Sequence, residues 1–124
     1  MKKITKGQCE AKISEAMIKF EKEFMGRGPT ETVAYIREDV IFVRIKGVLT
    51  PAEEQLAKVS EGANLIKEVR GQLLEGASTL LINIITDVLG CRIISLHSDI
   101  STKTGERIIV FVVDNDLEKN LFNL

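Results

Sequence analysis

The segment from Ser98 to Arg107 combines side chains that could bind a small anion. It holds four hydroxyls, two acids and two bases in ten residues, between two apolar runs. Hydroxyls, cations and the amides of a turn can together form an anion-binding nest. The same composition is equally typical of a solvated hairpin turn centred on Thr104 and Gly105. The sequence leaves both interpretations open.

Two arginines could supply positive charge to such a ligand. Arg27 lies in the turn 26–30 beside Gly28, where its guanidinium could clamp a carboxylate with two hydrogen bonds. The alternative is that Arg27 only caps the end of the preceding helix. Arg70 lies at the edge of an apolar helical stripe, so it must either find a partner or reach solvent.

His97 and Asp99 lie two residues apart on a predicted strand and therefore share one of its faces. They could act as a general base with its orienting acid; a structural or weakly pH-sensing histidine is the favoured alternative. Because His97 is the only histidine, a zinc site with two histidines from one chain is excluded. We predict no catalytic residue, metal or cofactor, and a ligand-binding set of Arg27, Gly28, Arg70, His97, Ser98, Asp99, Thr102 and Arg107.

The composition is that of one ordinary globular domain spanning residues 1–124. Hydrophobic residues make up 44% of the chain, charged residues make up 28%, and the formal net charge is −1. This balance argues against a nucleic-acid partner, which requires a basic face. No apolar run is long enough to cross a bilayer, which predicts a cytoplasmic protein without a transmembrane segment. Cys9 and Cys91 are predicted to be reduced thiols, with a disulfide or metal pair as the alternative.

Helical periodicity is clear in three parts of the chain. Over residues 5–26 one apolar stripe predicts a helix that ends at the glycines and proline of 26–29; the stripe is Ile13, Met17, Phe20 and Phe24. Thr50 and Glu53 form a capping box that starts a short helix running to about Ser60. Residues 61–90 predict a long helix, continuous with the short one or kinked near Gly62. Its wide apolar arc indicates a buried central helix or a homodimer contact. The arc combines two stripes: Leu65, Val69, Leu73, Leu80, Ile84 and Val88, and Ile66, Leu74, Leu81 and Ile85.

Four segments with alternating or continuous apolar residues predict strands, and they are Thr32–Arg37, Val40–Lys46, Ile93–Ile100 and Arg107–Val113. The last is apolar on both faces, which indicates a central strand or one covered by a partner. Residues 117–124 form a short tail with about one helical turn. The order helix, two strands, helices, two strands predicts an α+β fold: a four-stranded, mostly antiparallel sheet with helices packed on one face.

Three motifs together resemble a small bacterial family, the sodium-translocating membrane-potential-generating system C (MpsC-like) family. They are Gly-Arg-Gly-Pro at 26–29, Gly-Val-Leu-Thr-Pro-Ala-Glu at 47–53 and the Ser98–Arg107 segment. The resemblance runs from the first helix to the last strand. It implies an accessory or sensory role beside a membrane system linked to ion translocation and inorganic carbon supply. It also makes bicarbonate, formate or another small carboxylate the natural ligand.

We therefore expect a non-enzymatic module that binds or senses a small anion and works as a homodimer. Arg27 and Arg70 would neutralise the ligand, while Ser98 and Thr102 would orient it. The alternative is a homodimeric interaction protein without a small-molecule ligand. In that case the apolar arc and the strand Ile108–Val113 would dock a membrane transport complex.

Overall fold

A computed structural model describes residues 4–123 of the chain. Helix α1 (Lys6–Phe20) continues into a π-helical segment (Glu21–Met25) and leads to strands β1 (Glu31–Arg37) and β2 (Val40–Lys46). Helices α2 (Pro51–Leu56), α3 (Ser60–Gly76) and α4 (Ser78–Leu89) follow. Strands β3 (Ile93–Ser101) and β4 (Glu106–Val113) and a short helix, α5 (Leu117–Asn120), complete the chain.

The four strands form one antiparallel sheet in the order β1-β2-β4-β3. This confirms the α+β fold predicted from the sequence, and it makes β4 a central strand. Alternation directs Ile109, Phe111 and Val113 into the core, whereas Ile108 lies on the opposite face with 37% of its surface exposed. The helices cover the first face only, so the second is called the outer face below.

The π-helical segment changes which side chains of the first helix enter the core. Ile13, Met17 and Phe20 are buried as predicted, but Phe24 is 47% exposed and Met25 is buried in its place. A π-turn has more residues per turn than an α-helix, so it advances the buried stripe by one position. Glu21, one helical turn after Met17, is only 1% exposed and lies among the core residues.

The predicted long helix is instead two helices. Helices α3 and α4 meet at Ala77 with a bend of 58°. The short helix ends at Leu56, before the predicted Ser60, although its Thr50–Glu53 capping box is present in both directions. Of the ten residues of the predicted apolar arc, four are buried, four are exposed, and Ile84 and Val88 are partly buried. The buried residues are Ile66, Leu74, Leu81 and Ile85, while Leu65, Val69, Leu73 and Leu80 are exposed.

Two glycines of α3, Gly62 and Gly71, differ sharply in the space around them. Substitutions at these positions therefore give a matched test of how α3 packs on α2. A Cβ added at Gly62 would collide with the carbonyl oxygen of Leu56, a backbone atom that cannot move aside alone. At Gly71 nothing lies within 4 Å. We expect Gly62→Ala to lower the free energy of unfolding by about 1–3 kcal/mol, and Gly71→Ala to raise it by about 0.5–1 kcal/mol. Urea denaturation measures both, and equal effects would contradict the packing of α3 on α2.

Candidate functional site

A cavity of about 520 Å³ lies between α3, the start of α4 and the edge strand β3. One part of its wall is aliphatic and includes Leu74, Ile82, Ile94, Leu96 and Ile100. The other part is polar and is formed by Lys67, Glu75, Ser78, Ser95, Ser98, Asp99 and Arg107. Three predicted ligand-binding residues therefore meet at this cavity: Ser98, Asp99 and Arg107.

Arg107 is a buried cation on the cavity wall. Its side chain starts on the helix-facing side of β4, paired with Ile100, and is only 2% exposed. Nη1 donates to the Ser98 hydroxyl at 2.8 Å, and Nη2 donates to the Arg70 carbonyl at 3.4 Å. Nε has no hydrogen-bond partner within residues 4–123, and none of the ion pairs in that range includes Arg107. A buried guanidinium without a bonded carboxylate is electrostatically unfavourable.

Two carboxyl groups, those of Asp99 and Glu21, act on the charge of Arg107, and the larger effect is that of Glu21. Neither of its oxygens has a hydrogen-bond partner in the described part of the chain. Burial raises the pKa of the Glu21 carboxyl above its usual value, and the nearby Arg107 and Arg70 charges oppose that rise only in part. Burial also lowers the pKa of the Arg107 guanidinium. The charge of Glu21 raises that pKa, and the charge of Arg70 lowers it further. Protonated Glu21 leaves the charge of Arg107 uncompensated.

Lys67 and Asp99 form an ion pair at the cavity rim. Lys67 on α3 places its Nζ 3.4 Å from Asp99 Oδ1, and about half of the lysine side chain is exposed. The Ile100 backbone N–H donates to Asp99 at 2.8 Å and holds the pKa of that carboxyl below its usual value, with a smaller contribution from Lys67. The rim is thus nearly neutral, and the unbalanced positive charge lies deeper, at Arg107.

Arg70 is fully engaged in holding the helices to the β2–α2 connection. Its guanidinium binds both carboxylate oxygens of Glu53, with Nε–Oε2 at 2.9 Å and Nη2–Oε1 at 2.6 Å. It also donates to the carbonyl oxygens of Met25 at 3.1 Å and Val48 at 2.8 Å. These hydrogen bonds hold the pKa of the Glu53 carboxyl below its usual value. Arg70 is 3% exposed and does not line the cavity.

The other predicted ligand-binding residues lie away from the cavity. Arg27 donates to the Leu49 carbonyl at 3.2 Å, and Gly28 packs against the Lys22 side chain. His97 is exposed on the outer face, 3.0 Å from the Ser95 hydroxyl, and pairs across the sheet with Val110. Thr102 lines a separate cavity of about 400 Å³ beside α2. Arg27 and Arg70 therefore bind the carbonyls of neighbouring residues, Leu49 and Val48, and neither lines the cavity beside Arg107.

Most of the Ser98–Arg107 segment is strand, and only four residues form its turn. Asp99, Ile100 and Ser101 pair with Ile108, Arg107 and Glu106. Ser101 and Thr104 hydroxyls accept from the turn amides of Thr104 and Glu106, both at 3.3 Å. Gly105 has a φ of 70° and its N–H donates to the Ser101 carbonyl at 2.8 Å. The segment is thus a polar hairpin in which two of the four hydroxyls, those of Ser101 and Thr104, bond within the turn, while the Ser98 hydroxyl accepts from Arg107.

Sequence reasoning missed Glu21, Lys67 and Glu75. Glu21 lies four residues after Met17 and eight after Ile13, so helical spacing places it at the edge of the buried stripe, although an acid is not expected there. Lys67 and Glu75 are eight residues apart, so they lie on one side of α3 with Gly71 between them, a pattern that is visible in the sequence. The sequence does not show which strand the Lys67 and Glu75 side chains face.

These features define a class of protein: a small α+β domain with helices on one face of an antiparallel sheet and a charged cavity beneath them. The chain belongs to the MpsC family, since the profile described as "Na+-translocating membrane potential-generating system (MpsC)" matches residues 5–115.

Two Bacillus subtilis proteins are similar to this chain over most of its length. Uncharacterized protein YbcI is 43% identical over 121 residues, covering 98% of this chain and 97% of YbcI. Uncharacterized protein YrhF is 24% identical over 102 residues, covering 82% and 84%. No solved structure matches the chain.

The helices were also compared with the requirements of a membrane span. Within residues 4–123 no single helix is both long enough and apolar enough to cross a bilayer. Helices α3 and α4 reach that length and composition only as a bent pair.

Proposed function

We propose that this protein is a non-enzymatic module that binds a small carboxylate in the cavity beside Arg107. The observation that carries the proposal is the buried guanidinium of Arg107, which has no bonded carboxylate among residues 4–123. A ligand carboxylate could supply the missing negative charge, and Ser98, which already contacts Arg107, could donate to it. Bicarbonate and formate carry the same charge and are the smallest candidates.

The polar lining favours a monoanion over a polyanion. Two cations, Lys67 and Arg107, and two acids, Glu75 and Asp99, line the cavity. Lys67 is paired with Asp99 at the rim, so only Arg107 remains to attract the ligand. A second negative charge on the ligand would face Glu75 without compensation.

The aliphatic lining favours a carboxylate that carries a short hydrocarbon chain. A cavity of about 520 Å³ is much larger than a one-carbon anion needs, and five of its lining residues are Leu or Ile. Each buried methylene contributes about 0.8 kcal/mol. A linear four- to six-carbon monocarboxylate should therefore bind more tightly than acetate, and acetate more tightly than formate or bicarbonate.

Isothermal titration calorimetry with formate, bicarbonate, acetate, butyrate and hexanoate tests the proposal. We expect saturable binding whose affinity rises about threefold to fourfold per methylene, with acetate in the millimolar range. Sodium chloride at matched ionic strength controls for screening. If no carboxylate gives a saturable signal at tens of millimolar, or if chloride gives the same signal, the protein does not have this function.

One lysine variant and one arginine variant test whether the carboxylate binds in the cavity. Lys67→Gln removes the rim cation and should weaken butyrate binding severalfold, since a half-exposed charge contributes about 0.2–1 kcal/mol. Arg27→Gln should leave binding unchanged, because Arg27 contacts the Leu49 carbonyl away from the cavity. Loss of binding in Arg27→Gln alone would instead place the ligand at the 26–30 turn.

The family description suggests the setting in which such a module would work. Its words connect MpsC proteins with a sodium-translocating membrane system. We propose that this chain acts from the cytoplasm as an accessory to an ion or inorganic-carbon transport complex. Carboxylate binding would then report the supply of a metabolite to that complex.

A homodimeric interaction protein is the second candidate function, and the outer face of the sheet favours it. Tyr35 and Phe42, which are cross-strand neighbours, are 53% and 43% exposed there. Ile108 extends the same apolar area, and no helix covers it. Exposed aromatic and aliphatic patches of this kind mark interaction surfaces. A light-scattering mass of two chains, lowered by Phe42→Lys, would support a dimer through this face.

A further inference from the structure

We propose that α3 docks an amphipathic helix with a basic border, supplied by a partner protein. The observation is an exposed apolar stripe on α3 that the rest of the domain leaves uncovered. Leu65, Val69 and Leu73 follow one another at four-residue spacing and are 51%, 47% and 48% exposed. They lie beside the buried row that fixes α3 to the domain, which includes Ile66 and Leu74.

The stripe has the dimensions of a helix-binding surface. Residues at four-residue spacing lie next to one another along a helix, and Leu65 to Leu73 span roughly 12 Å. Three aliphatic side chains at this spacing are the usual anchors between a helix and an amphipathic partner helix. The adjacent buried row of α3 holds Arg70 against Glu53, so the stripe is presented by a helix that is fixed in place.

The charges beside the stripe identify the kind of partner. Glu61 and Glu68 lie one turn before and one turn after Leu65, and Glu75 continues the row at seven-residue spacing. All three are exposed, and none belongs to the ion pairs found within residues 4–123. A helix that places leucines on the stripe and lysines or arginines beside this row would complement both features.

The acidic row also disfavours two other occupants. In an antiparallel pair of two copies of α3, the row of one copy would face the row of the other, and like charges would repel. An anionic lipid surface would repel the same row. A basic amphipathic helix is the occupant that the charges favour.

Fluorescence anisotropy with two labelled peptides tests this inference on the intact chain. One peptide is an amphipathic helix of about four turns with leucines on one face and lysines beside them; the other replaces those lysines with glutamates. We expect the lysine peptide to bind at least about tenfold more tightly, with an affinity that falls as salt rises. Equal binding of the two peptides would overturn the proposal.

Matched variants locate the contact. Leu65→Ser with Val69→Ser should abolish binding of the lysine peptide, and Glu61→Gln with Glu68→Gln should weaken it about tenfold or more. Ile18→Ser and Glu15→Gln, which alter an exposed aliphatic residue and an exposed acid of α1, should bind as the parent chain does. Retained binding in the Leu65/Val69 variant would contradict the assignment to α3. Light scattering provides the last test. If the parent chain has the mass of a dimer and the Leu65/Val69 variant has the mass of a monomer, a second copy occupies the stripe and the proposal of a partner helix is wrong.

Discussion

Replacing Arg70 by methionine is expected to lower the free energy of unfolding by about 3–5 kcal/mol. The guanidinium makes four hydrogen bonds, two to the Glu53 carboxylate and one each to the carbonyls of Met25 and Val48. Methionine has similar length but no donor. It would leave a carboxylate and two carbonyls without their partner, and each unpaired group carries its full desolvation cost.

A second variant and a control separate this effect from simple loss of packing. Adding Glu53→Gln to Arg70→Met should restore part of the stability, because the unpaired charge is removed. Arg44→Met breaks the exposed pair with Glu106 and should stay close to the parent chain, since solvent screens that pair. Urea denaturation measures all three. An Arg70→Met variant as stable as Arg44→Met would show that Arg70 does not hold α3 to the β2–α2 connection.

The pH dependence of the Arg70 effect has a defined direction. Arg70 holds the pKa of Glu53 below its usual value, so the pair contributes stability above the ordinary glutamate pKa and loses it as pH falls through the lowered value. The difference between the parent chain and Arg70→Met should therefore shrink in acid.

Replacing Glu21 by glutamine should make the protein more stable at alkaline pH, where the parent carboxyl ionises, by about 1–3 kcal/mol. The Glu21 carboxyl is buried with both oxygens unbonded in the described chain, and burial raises its pKa. The folded state therefore binds a proton at Glu21 more tightly than the unfolded state does. Its contribution is complete below the ordinary glutamate pKa and is lost as pH rises through the raised value.

Glutamine resembles the protonated carboxyl but cannot ionise, so it isolates this contribution. Urea midpoints from about pH 4 to about pH 9 should coincide for Glu21→Gln and the parent chain in acid, then diverge as the parent loses stability. Glu23→Gln changes an exposed residue of the same π-helical segment. Its urea midpoint should follow that of the parent chain at every pH. If Glu21→Gln is the less stable protein at pH 8, ionised Glu21 stabilises Arg107 and our assignment is wrong.

The outcome at Glu21 also bears on the cavity. A neutral Glu21 leaves the charge of Arg107 available to a carboxylate ligand, whereas an ionised Glu21 competes for it. Glu21→Gln should therefore retain butyrate binding at alkaline pH, where binding to the parent chain weakens. Calorimetry at two pH values measures this difference.

The sequence by itself determined the elements and their order. Alternation in Ile41, Val43 and Ile45 identified β2, and Thr50 with Glu53 identified the start of α2, because both signals are local in the chain. The apolar run of β4 correctly predicted a central strand, which pairs with β2 on one edge and with β3 on the other. These features together were sufficient for the α+β fold.

The candidate site was only partly predictable. Ser98, Asp99 and Arg107 were chosen from the density of polar groups in one segment, and all three line the cavity. Arg27 and Arg70 were chosen as unpaired cations, but each has carbonyl or carboxylate partners 17 to 45 residues away in the chain. Pairing across such distances depends on how the helices pack, which spacing along one helix does not encode.

The tertiary structure alone decided which groups are buried and which face one another. Helix packing places Glu21 in the core, where it senses the charge of Arg107, and a single π-turn buries Met25 and moves Phe24 out to solvent. The apolar arc, which bends at Ala77, is buried along the row that includes Ile66, Leu74, Leu81 and Ile85, and is exposed along the row of Leu65, Val69 and Leu73 on α3. Local periodicity fixes which residues share a side of a helix, whereas the packing of helices on the sheet fixes which side is covered.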